Sequence, residues 1–336
     1  MNNQSQIQIV KSSSCLENGI ILYRITNSSG AYVELLNYGA TIASIVVPNR
    51  HNKLENIVLS YNDITLYLID KFYLGATIGR FANRISGSKF KLGENTFNLD
   101  QNDGVNSNHG GFNGLNSKLF ASEIQKDKLV FSTMSENGEG GFPGDVKVSV
   151  VYSFSDNNIL RIEFISQSNE DTPINFTNHA YFNLSGKRGV ALDHLLQINS
   201  SGYLEMDHFF LPTGKILNVD ESAFDFRKYR QIKTATIDKK DNLEGYNTFF
   251  VKSQDIAKAS LRSESSGRQL DVRSSMSGIQ LYTGDFLNDK FLPFQGVCLE
   301  AQYYPDGINK KHFDVCILKA GEVKMDWIEY AFSVYD

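Results

Sequence analysis

The chain alternates between apolar and polar residues with a period of two along several short segments. Residues Val146 to Val150, Leu160 to Phe164 and Leu270 to Arg273 follow this pattern. Because successive side chains of a strand point to opposite faces of a sheet, each segment is predicted to be a half-buried strand. Many short segments of this kind predict an all-β fold, either an antiparallel sandwich or a barrel.

Turn-forming residues separate these predicted strands. Asn137-Gly138, Asp156 to Asn158 and Ser266-Gly267 contain residues that adopt a positive φ at little cost. Helical pattern is scarce, and only Asn62 to Phe72 suggests a helix, a short one capped by Asn62 or Asp63. No repeat or interdomain linker is evident, and all-β domains often exceed 200 residues, so residues 1–336 are interpreted as one domain.

Composition excludes several classes of protein. With 41% hydrophobic and 12% aromatic residues, the chain can bury a sizeable core. Its 33 Lys and Arg against 38 Asp and Glu give a net charge of -5 without long runs of one sign, which argues against nucleic-acid binding. The glycine-rich stretch Gly138 to Gly144 lacks GxGxxG spacing, and the chain contains neither a P-loop nor a GxSxG elbow.

The cysteines and the apolar runs suggest where the protein resides. Cys15, Cys298 and Cys316 form no CxxC pair, and an odd number gives no disulfide framework, which fits a reducing compartment. The first residues contain no apolar core of a secretory signal, and no stretch approaches the roughly 18 apolar residues of a membrane-spanning helix. We therefore expect a cytoplasmic protein that does not bind membranes.

Five segments concentrate Arg, Asn, His, Gln, Glu and aromatic residues. Sugar hydroxyls both donate and accept hydrogen bonds, so amide, guanidinium and carboxylate groups satisfy them, while aromatic rings cover the apolar faces of the sugar. The mixture therefore indicates a carbohydrate pocket. The segments are Gly75 to Gly87, Asn108 to Leu115, Asn175 to Gly186, Gly278 to Phe286 and Cys298 to Asn309.

Two residues in these segments are candidates for proton transfer. His179 precedes Ala180, Tyr181 and Phe182, and Glu300 follows an apolar run that begins at Gly296. A carboxylate is rarely buried without a partner or a task. A core histidine bonded to the backbone is the alternative for His179, and a solvent-facing strand residue is the alternative for Glu300.

The histidines give no support for a metal site. None of the six forms an HxH or HxxxH pair on one predicted element, and such pairs are the usual local sign of zinc ligands. They are His51, His109, His179, His194, His208 and His312.

The segments, in this order, resemble the aldose 1-epimerase (galactose mutarotase) family from about Leu36 to near the C-terminus. The motifs are LNYGATIASIVVPN, GRFANRI, NHGG, GEGGFPGDVKVSVVYSF, TNHAYFNLSG, GIQLYTGDF and LEAQYYPDGIN. The resemblance implies a large antiparallel β-sandwich of the galactose mutarotase type. It also implies an enzyme that interconverts the α and β anomers of a free aldohexose such as galactose or glucose.

The resemblance further implies roles for individual residues. Glu300 in LEAQ corresponds to the catalytic base and His179 in TNHAYF to the catalytic acid. Sugar-contacting positions are Asn83, Arg84, His109, Asn247 and Gln280. No cofactor and no metal are implied, and the expected partner is a monosaccharide, bound by a monomer or a weak homodimer.

One motif departs from the family. The family usually has Gly-aromatic-Asp-His where this chain has Gly245, Tyr246, Asn247 and Thr248. An amide keeps one acceptor and gains donors but loses the charge, so sugar recognition is altered and the preferred aldose stays open.

The proposed chemistry sets an expectation for pKa values. Ionised Glu300 would take the C1 hydroxyl proton, and protonated His179 would protonate the ring oxygen. Ordinary pKa values of about 4.3 for Glu and 6.5 for His allow both states near neutral pH, and a nearby carboxylate would raise the His value further.

Three other functions remain open at this level. A non-enzymatic sugar-binding module would use the same fold without an acid and a base. An epimerase for phosphorylated hexoses would need a basic cluster, for which Arg227, Lys228 and Arg230 are available, although a solvated turn also explains them. A glycoside hydrolase would need a second carboxylate, and Asp306 instead fits a turn in Pro305-Asp306-Gly307.

Overall fold

The computed structural model describes residues 6–12, 19–186, 189–233, 237–239 and 242–335. Cys15 lies outside these ranges. Within them the chain forms strands β1 to β30, numbered in chain order, and short 3-10 helices. No helix in the described ranges is both long enough and apolar enough to cross a membrane. The 3-10 helices span Ile64–Ile69, Ser86–Ser88, Leu115–Ser117, Glu139–Gly141 and Gly307–Asn309.

Three large antiparallel sheets form the body of the described molecule. The five-stranded sheet contains, in order, β1 (Gln6–Ser12), β2 (Ile21–Thr26), β3 (Tyr32–Leu36), β4 (Thr41–Pro48) and β5 (Leu54–Asn56). The nine-stranded sheet contains β11 (Ala121–Gln125), β12 (Lys128–Ser135), β13 (Val146–Phe154), β14 (Ile159–Ser168), β30 (Val323–Val334), β26 (Arg268–Ser274), β25 (Ala257–Arg262), β18 (Leu195–Ile198) and β21 (Arg230–Gln231). The six-stranded sheet contains β17 (Tyr181–Phe182), β28 (Val297–Gln302), β27 (Gly278–Tyr282), β24 (Asn247–Val251), β19 (Gly202–Met206) and β20 (Pro212–Asn218).

Short strand pairs connect and flank these sheets, and residues of the candidate site lie in or directly after two of them. The pairs are β6 (Thr77–Ile78) with β16 (Thr177–Asn178), β7 (Arg84–Ile85) with β10 (Ser107–Asn108), β8 (Lys89–Leu92) with β9 (Asn95–Asn98), β15 (Thr172–Ile174) with β29 (Cys316–Leu318), and β22 (Ile237–Lys239) with β23 (Asn242–Glu244).

The strands predicted from the period-two pattern are confirmed. Val146 to Val150 lie in β13, where Val146, Val148 and Val150 are buried and Lys147 is exposed. The other two patterned segments lie in β14 and β26, with the same alternation of burial. Their apolar faces join a core that also contains residues of the five- and six-stranded sheets, which gives the sandwich.

The predicted turns are also confirmed, and the predicted helix is shorter and tighter than expected. Gly138, Asn158 and Gly267 have positive φ values of 81°, 55° and 72°. Between Asn62 and Phe72 the chain forms only the 3-10 helix Ile64–Ile69, with Asp63 as its N-cap accepting from the Thr65 amide at 3.0 Å. So short a segment cannot repay the cost of nucleating an α-helix.

Candidate active site

One face of the six-stranded sheet carries three of the predicted site residues. Gln280 on β27 lies directly opposite Glu300 on β28, and Asn247 begins the neighbouring strand β24. The Gln280 Nε2 donates to Asn247 Oδ1 at 2.6 Å. Directly paired residues of neighbouring strands share a face, so Gln280 and Glu300 lie together, and Asn247 joins them because its pairing partner Tyr282 is two residues from Gln280.

Glu300 is a buried carboxylate. Only 3% of the residue is exposed, and its Oε2 has no hydrogen-bond partner among the described residues. Burial raises the pKa of Glu300 to about 8, because the ionised form loses its hydration. An unsatisfied carboxylate oxygen in the interior marks a position where a ligand hydroxyl can donate.

His179 directly follows β16 and is held by its own backbone. Its N–H donates to the Ala76 carbonyl at 2.9 Å, and its carbonyl accepts from the Gly75 amide at 3.0 Å. The Asn178 Nδ2 also donates to the Gly75 carbonyl at 2.7 Å. A Cβ on Gly75, whose φ is +65°, would lie 2.0 Å from the Ile42 carbonyl oxygen, so only glycine fits.

The His179 ring lies between two side chains of β28. Its Nε2 is 3.7 Å from Glu300 Oε1, and its Nδ1 is 3.6 Å from the sulfur of Cys298. Burial lowers the pKa of His179 to about 4. The expectation that the neighbouring carboxylate would raise this pKa is therefore wrong, because loss of hydration outweighs the attraction of a carboxyl group that is itself protonated.

His109 lies beside His179, with ring centroids 5.5 Å apart. The Asn83 amide donates to His109 Nδ1 at 3.2 Å, so the proton of the neutral ring is on Nε2. Burial, His179 and Arg84 together hold the pKa of His109 well below its ordinary value. The next residue, Gly110, packs against the backbone at Gly79, and a Cβ on Gly110 would lie 2.2 Å from the Gly79 carbonyl oxygen.

Asn83 and Arg84 are joined by a hydrogen bond at the edge of this cluster. The Asn83 Oδ1 accepts from the Arg84 amide at 2.8 Å, and Arg84 Nε donates to Asp103 at 2.6 Å. The Arg84 guanidinium also lies 5.4 Å from the centre of the Phe210 ring. All seven predicted residues thus lie along one continuous path of contacts or strand pairings, from Asn247 through Gln280, Glu300, His179 and His109 to Asn83 and Arg84.

Sequence reasoning did not single out the aromatic residues around the imidazoles. Tyr73 lies 4.6 Å from His109 and 5.8 Å from His179 between ring centroids, and Tyr181 and Tyr282 lie 5.0 and 6.3 Å from His179. Phe286 extends this surface, stacking 6.4 Å from Tyr282. Three of these rings belong to the motifs quoted above, and Tyr73 lies two residues before the segment that begins at Gly75, which was the available signal.

The residues behind the alternative functions serve structural purposes. Arg227 pairs with Asp220 at 2.6 Å and with Asp225 at 2.7 Å on an exposed turn, as expected of a solvated cluster. Asp306 is fully buried, with φ 51°, and its Oδ1 accepts from the Ser86 amide at 3.0 Å. That carboxylate supports a turn, as predicted.

One group in the site has the composition of a metal-ligand set. A ring nitrogen of His179, the sulfur of Cys298 and a carboxylate oxygen of Glu300 all lie within 4.8 Å of one another. The residues are distant in sequence, so histidine spacing alone could not reveal them.

Comparison with known proteins places this geometry in a family context. The family model described as aldose 1-epimerase matches residues 22–331. The chain is 35% identical to galactose mutarotase of Mus musculus over 314 residues, covering 90% of this chain and 91% of the relative. It is 31% identical to aldose 1-epimerase of Escherichia coli over 327 residues, covering 93% and 94%.

Solved structures of aldose epimerase proteins have the same fold as this chain. An aldose epimerase homologue from C. elegans superposes with a TM-score of 0.89 at 30% identity, over 93% of this chain and 98% of that one. A galactose 1-epimerase from Lactobacillus acidophilus superposes with a TM-score of 0.86 at 27% identity, over 99% and 100% of the two chains.

Proposed function

This chain belongs to the aldose 1-epimerase family and is a mutarotase, and we propose that Glu300 and His179 are the base and the acid of its reaction. The observation that carries the proposal is the buried contact of 3.7 Å between His179 Nε2 and Glu300 Oε1, beside a carboxylate oxygen that has no hydrogen-bond partner in the described part of the chain. The substrate is a free aldohexose such as galactose or glucose.

Interconversion of anomers needs two opposed proton transfers. Glu300 takes the proton of the C1 hydroxyl while His179 gives a proton to the ring oxygen, so the bond between C1 and the ring oxygen breaks. The open form is a free aldehyde. Rotation about the bond between C1 and C2 presents the other face of the carbonyl, and reversal of both transfers closes the ring as the opposite anomer.

The opposite pKa shifts describe where the single proton of the pair resides. Before a sugar binds, burial favours a protonated Glu300 and a neutral His179, since neither then carries a charge. Sugar hydroxyls that donate to the unpartnered Oε2 stabilise the carboxylate. The proton then moves to the adjacent His179, which creates the acid and the base only when substrate is bound.

The remaining residues hold the sugar. His109 stays neutral and donates from Nε2, because the Asn83 amide occupies Nδ1. Arg84, oriented by Asp103, supplies a fixed positive charge for hydroxyl oxygens that become more negative during ring opening. Asn83 acts on the sugar chiefly through these two neighbours, since its own side-chain oxygen is already engaged.

Asn247 and Gln280 form the opposite wall. With Asn247 Oδ1 accepting from Gln280, the Nδ2 of Asn247 presents donors where the family usually has a carboxylate. Sugar oxygens with exposed lone pairs are therefore favoured as its partners. We further propose that residues 1–336 form one domain of a cytoplasmic protein, as a monomer or a weak homodimer.

Polarimetry of freshly dissolved α-D-galactose and α-D-glucose tests this function. We expect chelator-treated protein to accelerate the approach to the equilibrium rotation for at least one sugar. The His179→Asn variant should lose about 10²-fold to 10⁴-fold in rate, the usual contribution of a positioned acid or base. His51→Asn is the matched control, because His51 is exposed and should keep full activity. Near-normal turnover of His179→Asn would contradict the assignment of the acid.

A further inference from the structure

A buried thiol lies beside the proposed acid and has no part in the mechanism above. Cys298 is fully buried, and its sulfur contacts His179 Nδ1, while Glu300 contacts Nε2 of the same ring. Imidazole, thiolate and carboxylate are the three side-chain ligands that Zn²⁺ takes in proteins. We infer that His179, Cys298 and Glu300 form a binding site for a thiophilic divalent cation such as Zn²⁺, and that occupation of this site blocks the enzyme.

The separations between the ligand atoms suit such an ion after a small adjustment. With metal–ligand distances of about 2.0–2.3 Å, the ligand atoms of a tetrahedral zinc ion lie roughly 3.3–3.7 Å apart. The Cys298 sulfur is 3.6 Å from His179 Nδ1, Glu300 Oε1 is 3.7 Å from His179 Nε2, and the three ligand atoms of a set with one ring nitrogen lie within 4.8 Å of one another. Because one imidazole nitrogen coordinates the ion, the more distant ligand must move by about 1 Å, which one side-chain torsion can supply.

The charges of the site favour a cation once it has entered. Two anionic ligands in a dry interior repel each other, and a cation between them removes that repulsion. A divalent ion neutralises both, and the displaced thiol and carboxyl protons pass to solvent. The unpartnered Glu300 Oε2 is a second, independent sign that the protein leaves room for a ligand at this point. Water can take the fourth coordination position.

Cation and sugar then exclude one another. An ion on His179 and Glu300 occupies the lone pairs that must accept protons during turnover, so inhibition should be competitive with the aldose. This inhibitory consequence rests on the proposed function, whereas the cation site itself rests only on the three side chains. The soft sulfur ligand predicts that Zn²⁺ and Cd²⁺ bind while Mg²⁺ and Ca²⁺ do not.

The experiment measures binding and activity separately on the full-length protein. Zn²⁺ affinity is determined by competition with a chromogenic chelator, with and without a saturating aldose. Co²⁺ then serves as a spectroscopic probe, because a thiolate ligand gives a charge-transfer absorption that nitrogen and oxygen ligands do not. Wild type, Cys298→Ser and Glu300→Gln are compared with Cys316→Ser, which removes a half-buried thiol on β29 outside the site.

We expect one Zn²⁺ per chain, displaced by the aldose, and a thiolate–cobalt absorption in wild type and Cys316→Ser. Cys298→Ser and Glu300→Gln should each weaken binding by at least about tenfold, and Cys298→Ser should lose the cobalt signal. Inhibition constants are taken relative to each variant's own uninhibited rate.

Unchanged affinity in Cys298→Ser would overturn the cation site, whereas no competition between aldose and Zn²⁺ would overturn the inhibitory consequence and leave the site standing. Tight binding at this site without any loss of turnover would support the site and contradict the catalytic roles of His179 and Glu300. The two proposals can therefore fail independently.

Discussion

The two faces of strand β28 carry different kinds of side chain, although both are buried. Val297, Leu299 and Ala301 point into the sandwich core, with at most 1% of each residue exposed. The alternate residues Cys298, Glu300 and Gln302 are equally inaccessible, yet Glu300 and Gln302 have side-chain atoms without partners among the described residues. The first face contributes to stability by burying apolar surface, and the second carries the carboxylate that we propose as the catalytic base.

Burial alone therefore does not distinguish a core residue from a site residue. Apolar burial lowers the free energy of the folded state, whereas an unsatisfied buried carboxylate raises it. A strand that keeps such a group between well-packed neighbours lowers the stability of the fold, and the group it keeps is one that can transfer protons. Substitutions on the face that carries Glu300 should therefore lower turnover, and substitutions on the apolar face should lower stability.

The largest expected effect is loss of turnover in Glu300→Gln. The amide fills the same space but cannot accept the C1 hydroxyl proton, so kcat should fall by about 10³-fold to 10⁴-fold. Sugar affinity should change little, because the amide keeps one acceptor and adds donors. Polarimetry and calorimetric sugar binding measure the two quantities. Turnover close to that of wild type would remove Glu300 from the mechanism.

The same variant should be more stable relative to wild type at pH 8 than at pH 5. The pKa of Glu300 is raised to about 8 in the folded protein from an ordinary value of 4.5. Between these values the folded state binds a proton that the unfolded chain has lost, so the contribution of Glu300 to stability falls as the pH rises. Gln does not ionise, and its advantage should grow by roughly 2–4 kcal/mol across this interval. Chemical denaturation at both pH values tests this prediction.

Leu299→Ala on the opposite face should have the converse result. Leu299 is 1% exposed within the main core, and truncation of such a leucine costs about 2–5 kcal/mol of unfolding free energy. The folded variant should retain kcat within a few-fold, because the strand register that presents Glu300 is unchanged. Denaturant unfolding with polarimetry on the folded protein separates the effects. A loss of kcat as large as that of Glu300→Gln would mean that the two faces are not separable.

The pH dependence of kcat/KM should show a bell with limbs near pH 4 and pH 8. Between these two pH values the His179–Glu300 pair carries a single proton, which is the reactive state. A second proton binds when the pH falls below the pKa of about 4, and the pair loses its single proton when the pH rises above the pKa of about 8. Rate should fall about tenfold per pH unit beyond each limb. The apparent pKa values at the two limbs belong to the coupled pair and not to either residue alone. An acid limb near 6.5 would mean that His179 titrates as an exposed histidine does.

The sequence predicts much of this molecule, and the limits of prediction have physical causes. Alternation identified β13, β14 and β26 because each has one apolar and one polar face. The same signal is blurred in β28, where every residue is buried, so periodicity could not distinguish the two faces of this strand. The motifs brought His179 and Glu300 together only through the family resemblance, since 121 positions separate them in the chain.

The protonation states could not be foreseen at all. Ordinary pKa values suggest a charged histidine and carboxylate near neutral pH, and depth of burial reverses both. Burial depends on tertiary packing around the Tyr73, Tyr181 and Tyr282 rings, which local sequence does not encode. The His179–Cys298 contact is hidden for the same reason, because it joins β28 to the residue that follows β16.

The smallest expected effect comes from Asn247→Asp, at the wall of the site that departs from the family pattern. The carboxylate would keep the hydrogen bond from Gln280 and replace a neutral amide by a charged acceptor. Hydrogen bonds to charged groups contribute about 1 kcal/mol more than neutral ones, so KM should fall by roughly fivefold for an aldose whose hydroxyls donate there. Because kcat depends on His179 and Glu300, it should change less than KM. Comparing α-D-galactose with α-D-glucose shows whether position 247 also sets the preference between sugars, and a variant with unchanged KM for both would place Asn247 outside the sugar contacts.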